Sequence, residues 1–428
     1  MREDLRDFTE EETEAYLRSS GAYGDREHSG RWERGYGDEW MLSRADASTP
    51  KIAARPFVWR DPATMPRRQW LYGRHVIRRF LSTTVAPGAV GKSSLTMVEA
   101  IAMATGRPLL GTHPASRLKV WIWNGEDPLE ELERRVAAIC LHYGIAPHEL
   151  DGQLFLNSGR DTEIVIATTT KSGTVIAQPV VDAMKATIRE NGIDVVFLDP
   201  FVACHGASEN DNGAINAIAK TIARLADETD TAWDLVHHSR KTGGAEITVE
   251  DGRGASALLA AARSGRVLNS MTKEEAERAG VDKPRGFFRV DNGKANLAPP
   301  PDKTEWFALK SVSLENGGDN PFDEPDYVAV VTPWQWPDAL EGVTVSDLRK
   351  VQKAVSEGAW RKDPQATDWV GKAVAQVLSL NVNDRAHKAK VSGLLKTWIG
   401  TGMLKVVEGR DEKSKPRPMV EVGAWATD

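Results

Sequence analysis

The stretch that most constrains this chain is Ala86-Pro-Gly-Ala-Val-Gly-Lys-Ser93. It follows the apolar run RFLSTTV and precedes SSLTMVEAIAMAT, whose apolar spacing is helical. A Gly-x-x-x-x-Gly-Lys-[Ser/Thr] loop between a strand and a helix is a phosphate cradle. Small residues let successive backbone N–H groups converge on an anion, and the helix adds its positive end. Every element of the pattern is present except the first glycine, which is Ala86 here, and Gly88 remains to take a positive φ. Pro87, Gly88, Ala89, Val90, Gly91, Lys92, Ser93 and Ser94 are therefore the expected nucleotide-binding residues. Lys92 would reach the β- and γ-phosphates and the Ser93 hydroxyl would ligate a metal ion, which makes ATP and Mg²⁺ the expected cofactors.

From about residue 71 to 270 strand-like and helix-like segments alternate. KVWIWNG, IDVVFLD, AWDLVHH and SGRVLN are short apolar runs, as expected of strands covered on both faces. Between them, Leu129, Leu132, Val136, Ile139 and Tyr143 recur on one helical face, with Asp127 as the expected N-cap and Pro128 at the first helical position. Ile215, Ile218, Ile222 and Leu225 mark another helix, and VVDAMKATIREN a third. The expected fold class is α/β, a mostly parallel central sheet with helices on both faces. Residues 286–312 read as two or three strands extending that sheet. Residues 343–428 read as three helices and a β-hairpin with the charged turn RDEKSK, the outline of a small winged-helix-like domain. The organisation expected is a flexible N-terminal arm over 1–50, with a short helix at Glu10–Leu17, an ATPase domain over 51–335 and the C-terminal domain over 340–428.

Three further constellations belong with the loop. Asp199 closes the strand Ile193–Leu198, where a carboxylate can hold Mg²⁺ through water; a helix-capping aspartate is the alternative. Glu126, in Asn124-Gly-Glu-Asp127, follows a strand at the sheet edge where open α/β sheets bind ligands, and could activate the attacking water. His237 and His238 close the strand AWDLV and point to opposite faces, so they cannot easily share a metal, but one of them can contact a γ-phosphate. Arg240, Lys241 and Arg253 lie in a glycine-rich segment that suits a loop gripping a phosphate backbone, with a solvated loop as the bland alternative. By spacing alone Arg263 is a surface arginine.

Composition sets few further limits. In 428 residues, 55 Lys and Arg face 61 Asp and Glu, a net charge of −6, so any nucleic-acid contact has to be a local basic stripe. Two cysteines, Cys140 and Cys204, are too few for a disulfide framework or a four-ligand zinc site. No apolar run is long enough to span a membrane and no signal-like stretch opens the chain, so a cytoplasmic protein is expected.

Taken together, APGAVGKSS, NGEDPLEELERR, VVFLDPFVACHGASENDN, VHHSRKTGG and DGRGASALLAAARSGRVL resemble the RepA-like hexameric helicases, a RecA-type branch of P-loop ATPases. The resemblance covers about residues 70–310. It implies ring hexamers with ATP between subunits and single-stranded DNA in the central channel. It also implies that Glu126 is the catalytic glutamate, Asp199 the Walker-B acid, His238 the γ-phosphate sensor and Arg263 an arginine finger acting in trans. By the same resemblance, segments 203–213 and 239–253 face the channel. The N-terminal arm and the C-terminal domain depart from that family, and duplex DNA or a protein is the partner expected of the latter. The reading is therefore an ATP-dependent DNA helicase or translocase. The alternative is a regulatory or recombination-type ATPase that binds DNA or a partner without unwinding.

Overall fold

The computed structural model describes residues 53–170, 173–240, 245–252, 255–299, 304–318, 320, 323–410 and 415–427, with two short strands at Trp32–Arg34 and Trp40–Leu42. The expected helix at Glu10–Leu17 lies outside the described residues. Residues 1–66 and 67–428 form two compact units. In the first, Trp32–Arg34 and Trp40–Leu42 pair antiparallel.

The second unit is built on one nine-stranded sheet. In chain order its strands are β1 (Leu81–Ala86), β2 (Val120–Asn124), β3 (Leu154–Ser158), β4 (Val195–Asp199), β5 (Ala232–His238), β6 (Ser264–Ser270), β7 (Phe287–Ala295), β8 (Glu305–Ser313) and β9 (Tyr327–Trp334). Across the sheet the order is β9-β8-β7-β6-β1-β5-β4-β2-β3. All pairings from β6 to β3 are parallel, and β7, β8 and β9 add an antiparallel meander to β6. One strand, β5, thus separates the strand that feeds the phosphate loop from the strand that ends in Asp199.

The parallel strands are continuous apolar runs because both faces are covered. On one face lie α1 (Lys92–Thr105) and α2 (Leu129–Tyr143), which bury Leu95, Ile101, Leu132 and Ile139. On the other lie α3 (Gln178–Asn191) and α4 (Asn212–Thr229), which bury Val181, Ile188, Ile215, Ile218, Ile222 and Leu225. Two shorter helices follow, α5 (Ala255–Ala261) and α6 (Lys273–Ala279). This is the expected α/β architecture with helices on both faces of a mostly parallel sheet.

Two details differ from expectation. Helix α2 starts one residue later than its sequence suggests, at Leu129 with Pro128 at the N-cap. Asp127 does not cap it, because its carboxylate pairs with Arg135 at 2.8 Å, and Leu129 is left exposed. Strands β3 and β9 also belong to the sheet, although neither reads as a strand from its sequence.

After β9 the chain forms α7 (Val345–Ser356), a two-residue strand at Trp360–Arg361, α8 (Val370–Val377), α9 (Arg385–Gly400), β10 (Leu404–Arg410) and β11 (Pro416–Val422). The three strands make one antiparallel sheet with β11 in the middle. Val351, Trp369, Val374, Val391, Leu394, Trp398 and Leu404 form a core of their own there. Thr344 and Asp347 make a capping box at α7, and Asp384 caps α9 through the His387 N–H. Among the described residues no helix is long and apolar enough to cross a membrane.

Candidate functional site at the C-terminal edge of the parallel strands

Strand β1 runs buried to Ala86, and the loop turns back into α1 at Gly91, whose φ is 112°. A side chain at Gly91 would be strained at that φ. Gly88 does not take the expected left-handed conformation; Ala89 does, with φ 64°. Pro87 has no N–H, so the loop's amide donors are those of Gly88 to Ser94. The Val90 side chain is buried in the core, whereas Lys92, 8% exposed, Ser93 and Ser94 line a cleft of about 340 Å³. Glu131 and Arg135 of α2 and Tyr327 of β9 line the same cleft, and sequence reasoning had not singled out these three.

Asp199 ends β4 beneath that loop, 3% exposed. Its carboxylate accepts the Ser93 hydroxyl and lies in the field of Lys92. Burial raises its pKa above the ordinary carboxylate value and nearby Glu126 adds to the rise, while Lys92, Ser93 and His238 oppose it. The Oδ1 atom is buried with no hydrogen-bond partner. A paired hydroxyl and carboxyl group with one unsatisfied oxygen fit a Mg²⁺ ion, which takes few protein ligands and keeps water and phosphate oxygens.

Glu126 stands on the next loop, after β2. The Asn124 side-chain oxygen accepts the N–H groups of Glu126 at 3.0 Å and Asp127 at 2.8 Å. Arg160 donates to the Glu126 carbonyl at 3.0 Å, and the Gly125 N–H donates to the Asp199 carbonyl at 2.8 Å. Gly125 has to be glycine, since a Cβ there would come within 2.5 Å of the Ala203 Cβ. The sequence marks Asn124 only as part of the motif NGED and Arg160 not at all, because each acts through backbone groups.

Across the gap, His238 Nε2 is 3.7 Å from the Glu126 carboxylate. His237 points the other way, buried against Phe201 with ring centroids 5.9 Å apart and 4.0 Å from Glu209. The opposed faces of the two histidines are as expected. Directly after them, the Ser239 N–H donates to the Ala86 carbonyl at 3.0 Å, so β5 and the phosphate loop are joined at their ends. Arg240 is exposed, and its N–H is held by the Asp251 carbonyl at 2.8 Å. Lys241 and Arg253 lie outside the described residues.

The structure therefore gathers Lys92, Ser93, Asp199, Glu126 and His238 at one edge of the sheet. It does not bring Arg263 there. Arg263 precedes β6 and donates its N–H to the Leu81 carbonyl at the start of β1, with its guanidinium 5.9 Å from the Phe80 ring centroid. The length of β1 puts it roughly 17 Å from the loop of its own chain.

Residues 47–244 match the protein family described as an AAA domain. That span holds the phosphate loop, Glu126, Asp199 and His238 and ends before Arg263. Over that span the chain is similar to AAA ATPase domains. Two solved structures overlap with it loosely. The RadB recombinase is 14% identical, with 54% of this chain and 88% of that one covered at a TM-score of 0.36. A DnaB-like replicative helicase, in a structure describing its interactions with primase, is 14% identical, with 55% of each chain covered at a TM-score of 0.40. At these scores neither bears on activity.

Proposed function

We propose that this ATPase domain drives translocation on single-stranded DNA as a helicase of the RepA-like type, in a ring of identical subunits, with a hexamer as the expected form. The observation that carries the reading is the position of Arg263. The edge that holds Lys92, Asp199 and Glu126 lacks this cation from its own chain, and Arg263 stands at the opposite end of the parallel strands. A neighbouring copy placing that end against the phosphate edge would complete the site.

In this reading Lys92 and the loop amides hold the β- and γ-phosphates. Ser93 and Asp199 hold Mg²⁺, which when bound neutralises developing charge on the phosphate oxygens. Glu126, fixed by Asn124 and Arg160, accepts a proton from the attacking water. His238 contacts the γ-phosphate and passes its loss to Arg240, two residues on, within the segment at 239–253 that grips the DNA backbone. Arg263 of the neighbour stabilises the transition state, a contribution of roughly 10³–10⁵ in rate for arginine fingers. Residues 340–428 would serve as a winged-helix-like module attached to this engine.

The test is ATP turnover with and without single-stranded DNA, with particle mass measured in parallel. Wild type should be a DNA-stimulated ring, and Arg263→Ala should lose the stimulated turnover while still binding ATP. Glu126→Gln should lower kcat by about 10²–10⁴. Turnover indifferent to DNA and to Arg263, in a monomer or dimer, would contradict the reading and leave the non-unwinding regulatory ATPase.

A further inference from the structure

Helix α9 is the third helix of the C-terminal domain, the position that a helix-turn-helix protein inserts into the major groove. Here one flank is closed by the ATPase domain and the other by the segment that leads into the C-terminal domain. A Cβ on Gly280, just past α6, would come within 2.5 Å of the Ala386 Cα, and a Cβ on Gly393 would come within 2.7 Å of the Ala339 Cβ. A major groove about 12 Å wide admits a helix of about 10–12 Å diameter only when nothing else stands beside it. Duplex DNA therefore cannot reach this face.

What remains between α9 and the sheet is a groove. One part is a cleft of 1050 Å³ and the next a cleft of 820 Å³, and both are lined by Arg278, Trp336, Gly393 and Lys396. A passage continuing on both sides of one tryptophan suits a polymer better than a compact ligand. On the α9 wall, Lys388 and Lys396 are exposed and two turns apart, about 12 Å along the helix. Among the described residues neither has a carboxylate within ion-pair distance. The opposite wall is aromatic. Trp336, 36% exposed, packs against Trp306 at 5.4 Å, and the Arg278 guanidinium lies 5.5 Å from the Trp336 ring centroid. The acids of the first cleft are mostly engaged, Glu275 by Arg289 at 2.6 Å and Glu277 by Arg385 at 3.7 Å. Lys388, Lys396 and Arg278 then face Glu274, and the free charge of the cleft is positive.

We infer that this groove binds a single strand of nucleic acid, with phosphates on Lys388 and Lys396 and a base against the Trp336–Arg278 pair. Aromatic platforms beside a basic track are how single strands are held without sequence reading. The inference needs neither ATP hydrolysis nor a ring, and so stands apart from the translocase reading.

The experiment is fluorescence-anisotropy binding of short oligo(dT), oligo(rU) and a duplex of equal length to the full chain without nucleotide, over a range of salt. Lys388→Ala with Lys396→Ala should flatten the logarithmic salt slope for single strands by about 1.4, the loss of two phosphate contacts. Both side chains are exposed, so the fold should melt as in wild type. Trp336→Ala should weaken single-strand binding about ten-fold at unchanged slope, and Trp336→Phe should recover most of it. A preference for either sugar supports the site. An unchanged slope in the lysine variant, or indifference to Trp336→Ala, would overturn it. So would duplex binding that is tighter and is the binding lost in the lysine variant. Arg240→Ala serves as the separate probe of the channel. If it leaves the slope intact while the lysine variant flattens it, the groove stands and the channel reading fails.

Discussion

At the scale of single residues, the site is held in a state that costs stability. Asp199 is buried with a raised pKa and an unpaired Oδ1. A carboxyl whose folded pKa lies above its unfolded value favours the fold most when protonated, and that contribution is lost as pH rises through the folded pKa. Ionising this group in the fold therefore costs stability, a cost that a neutral isostere removes. Asp199→Asn should melt at a higher temperature than wild type in the absence of nucleotide and Mg²⁺, and should fail to hydrolyse ATP. A lower melting temperature would show that the Lys92 and Ser93 partners outweigh the burial. Ala89 makes a second case, with φ 64° at a residue with a Cβ. Ala89→Gly relieves roughly 1–2 kcal/mol in the fold and adds about 0.4–1 kcal/mol of unfolded-state entropy. The net gain should be small, while Ala89→Val should be clearly destabilising by thermal melting. The octapeptide made the loop legible, but which of its small residues turns left-handed depends on how α1 meets the sheet, and no local pattern encodes that.

At the scale of elements, a buried polar chain ties β1, β5 and β6 to the helix that follows the phosphate loop. Arg266 on β6 donates to both oxygens of Glu99 on α1, at 2.6 and 2.5 Å, and to the Thr84 hydroxyl at 2.9 Å. Thr84 donates to Asp234 at 2.7 Å, and His75 lies 3.1 Å from the same carboxylate. Removing one partner of a buried ion pair costs about 3–5 kcal/mol, whereas replacing both by apolar residues of similar size is near neutral. Arg266→Met should therefore be severely destabilised in denaturant titrations, and Glu99→Leu combined with Arg266→Met should recover most of the loss. Burial alone would raise the Asp234 pKa, but the His75 ring, Arg266 and the Thr84 hydroxyl outweigh it and hold it at about 2, against 3.8 for the ordinary group. Its contribution is complete above pH 3.8 and is lost as pH falls toward 2. Acid titration of stability should show that loss, and Asp234→Asn should flatten it.

The elements also show what a single sequence gives away. Strands β1, β2, β4, β5 and β6 were readable because their buried faces force apolar runs between helix signals. Strand β3 is a half-buried edge strand of five residues, LFLNS, whose apolar stretch is too short to stand out. Strand β9 follows the Pro- and Gly-rich stretch 316–326, which masks the return of the chain to the same sheet. The displaced start of α2 has a similar origin. Asn124 turns the chain ahead of the helix by accepting the Glu126 and Asp127 N–H groups, and the Asp127 carboxylate pairs with Arg135 instead of capping the helix.

At the scale of the whole molecule, the relation that decides the proposed ring is the one between copies. Glu126 and His238 face each other within one chain, and their neighbourhood could be inferred from strand ends alone. Arg263 could not be placed that way, because its own fold puts it at the far end of β1, and the proposed role needs a second subunit to bring it to a phosphate. The measurement that tests this most directly mixes two inactive variants. Lys92→Ala lacks the phosphate lysine and Arg263→Ala lacks the cation offered to its neighbour, so each alone should show almost no DNA-stimulated ATP turnover. Mixed and allowed to exchange subunits, they should regain turnover, because some interfaces then pair an intact phosphate loop from the arginine variant with an intact Arg263 from the lysine variant. If the mixture stays as inactive as its components while the subunits demonstrably exchange, the site is not shared between subunits and the proposed ring mechanism is wrong.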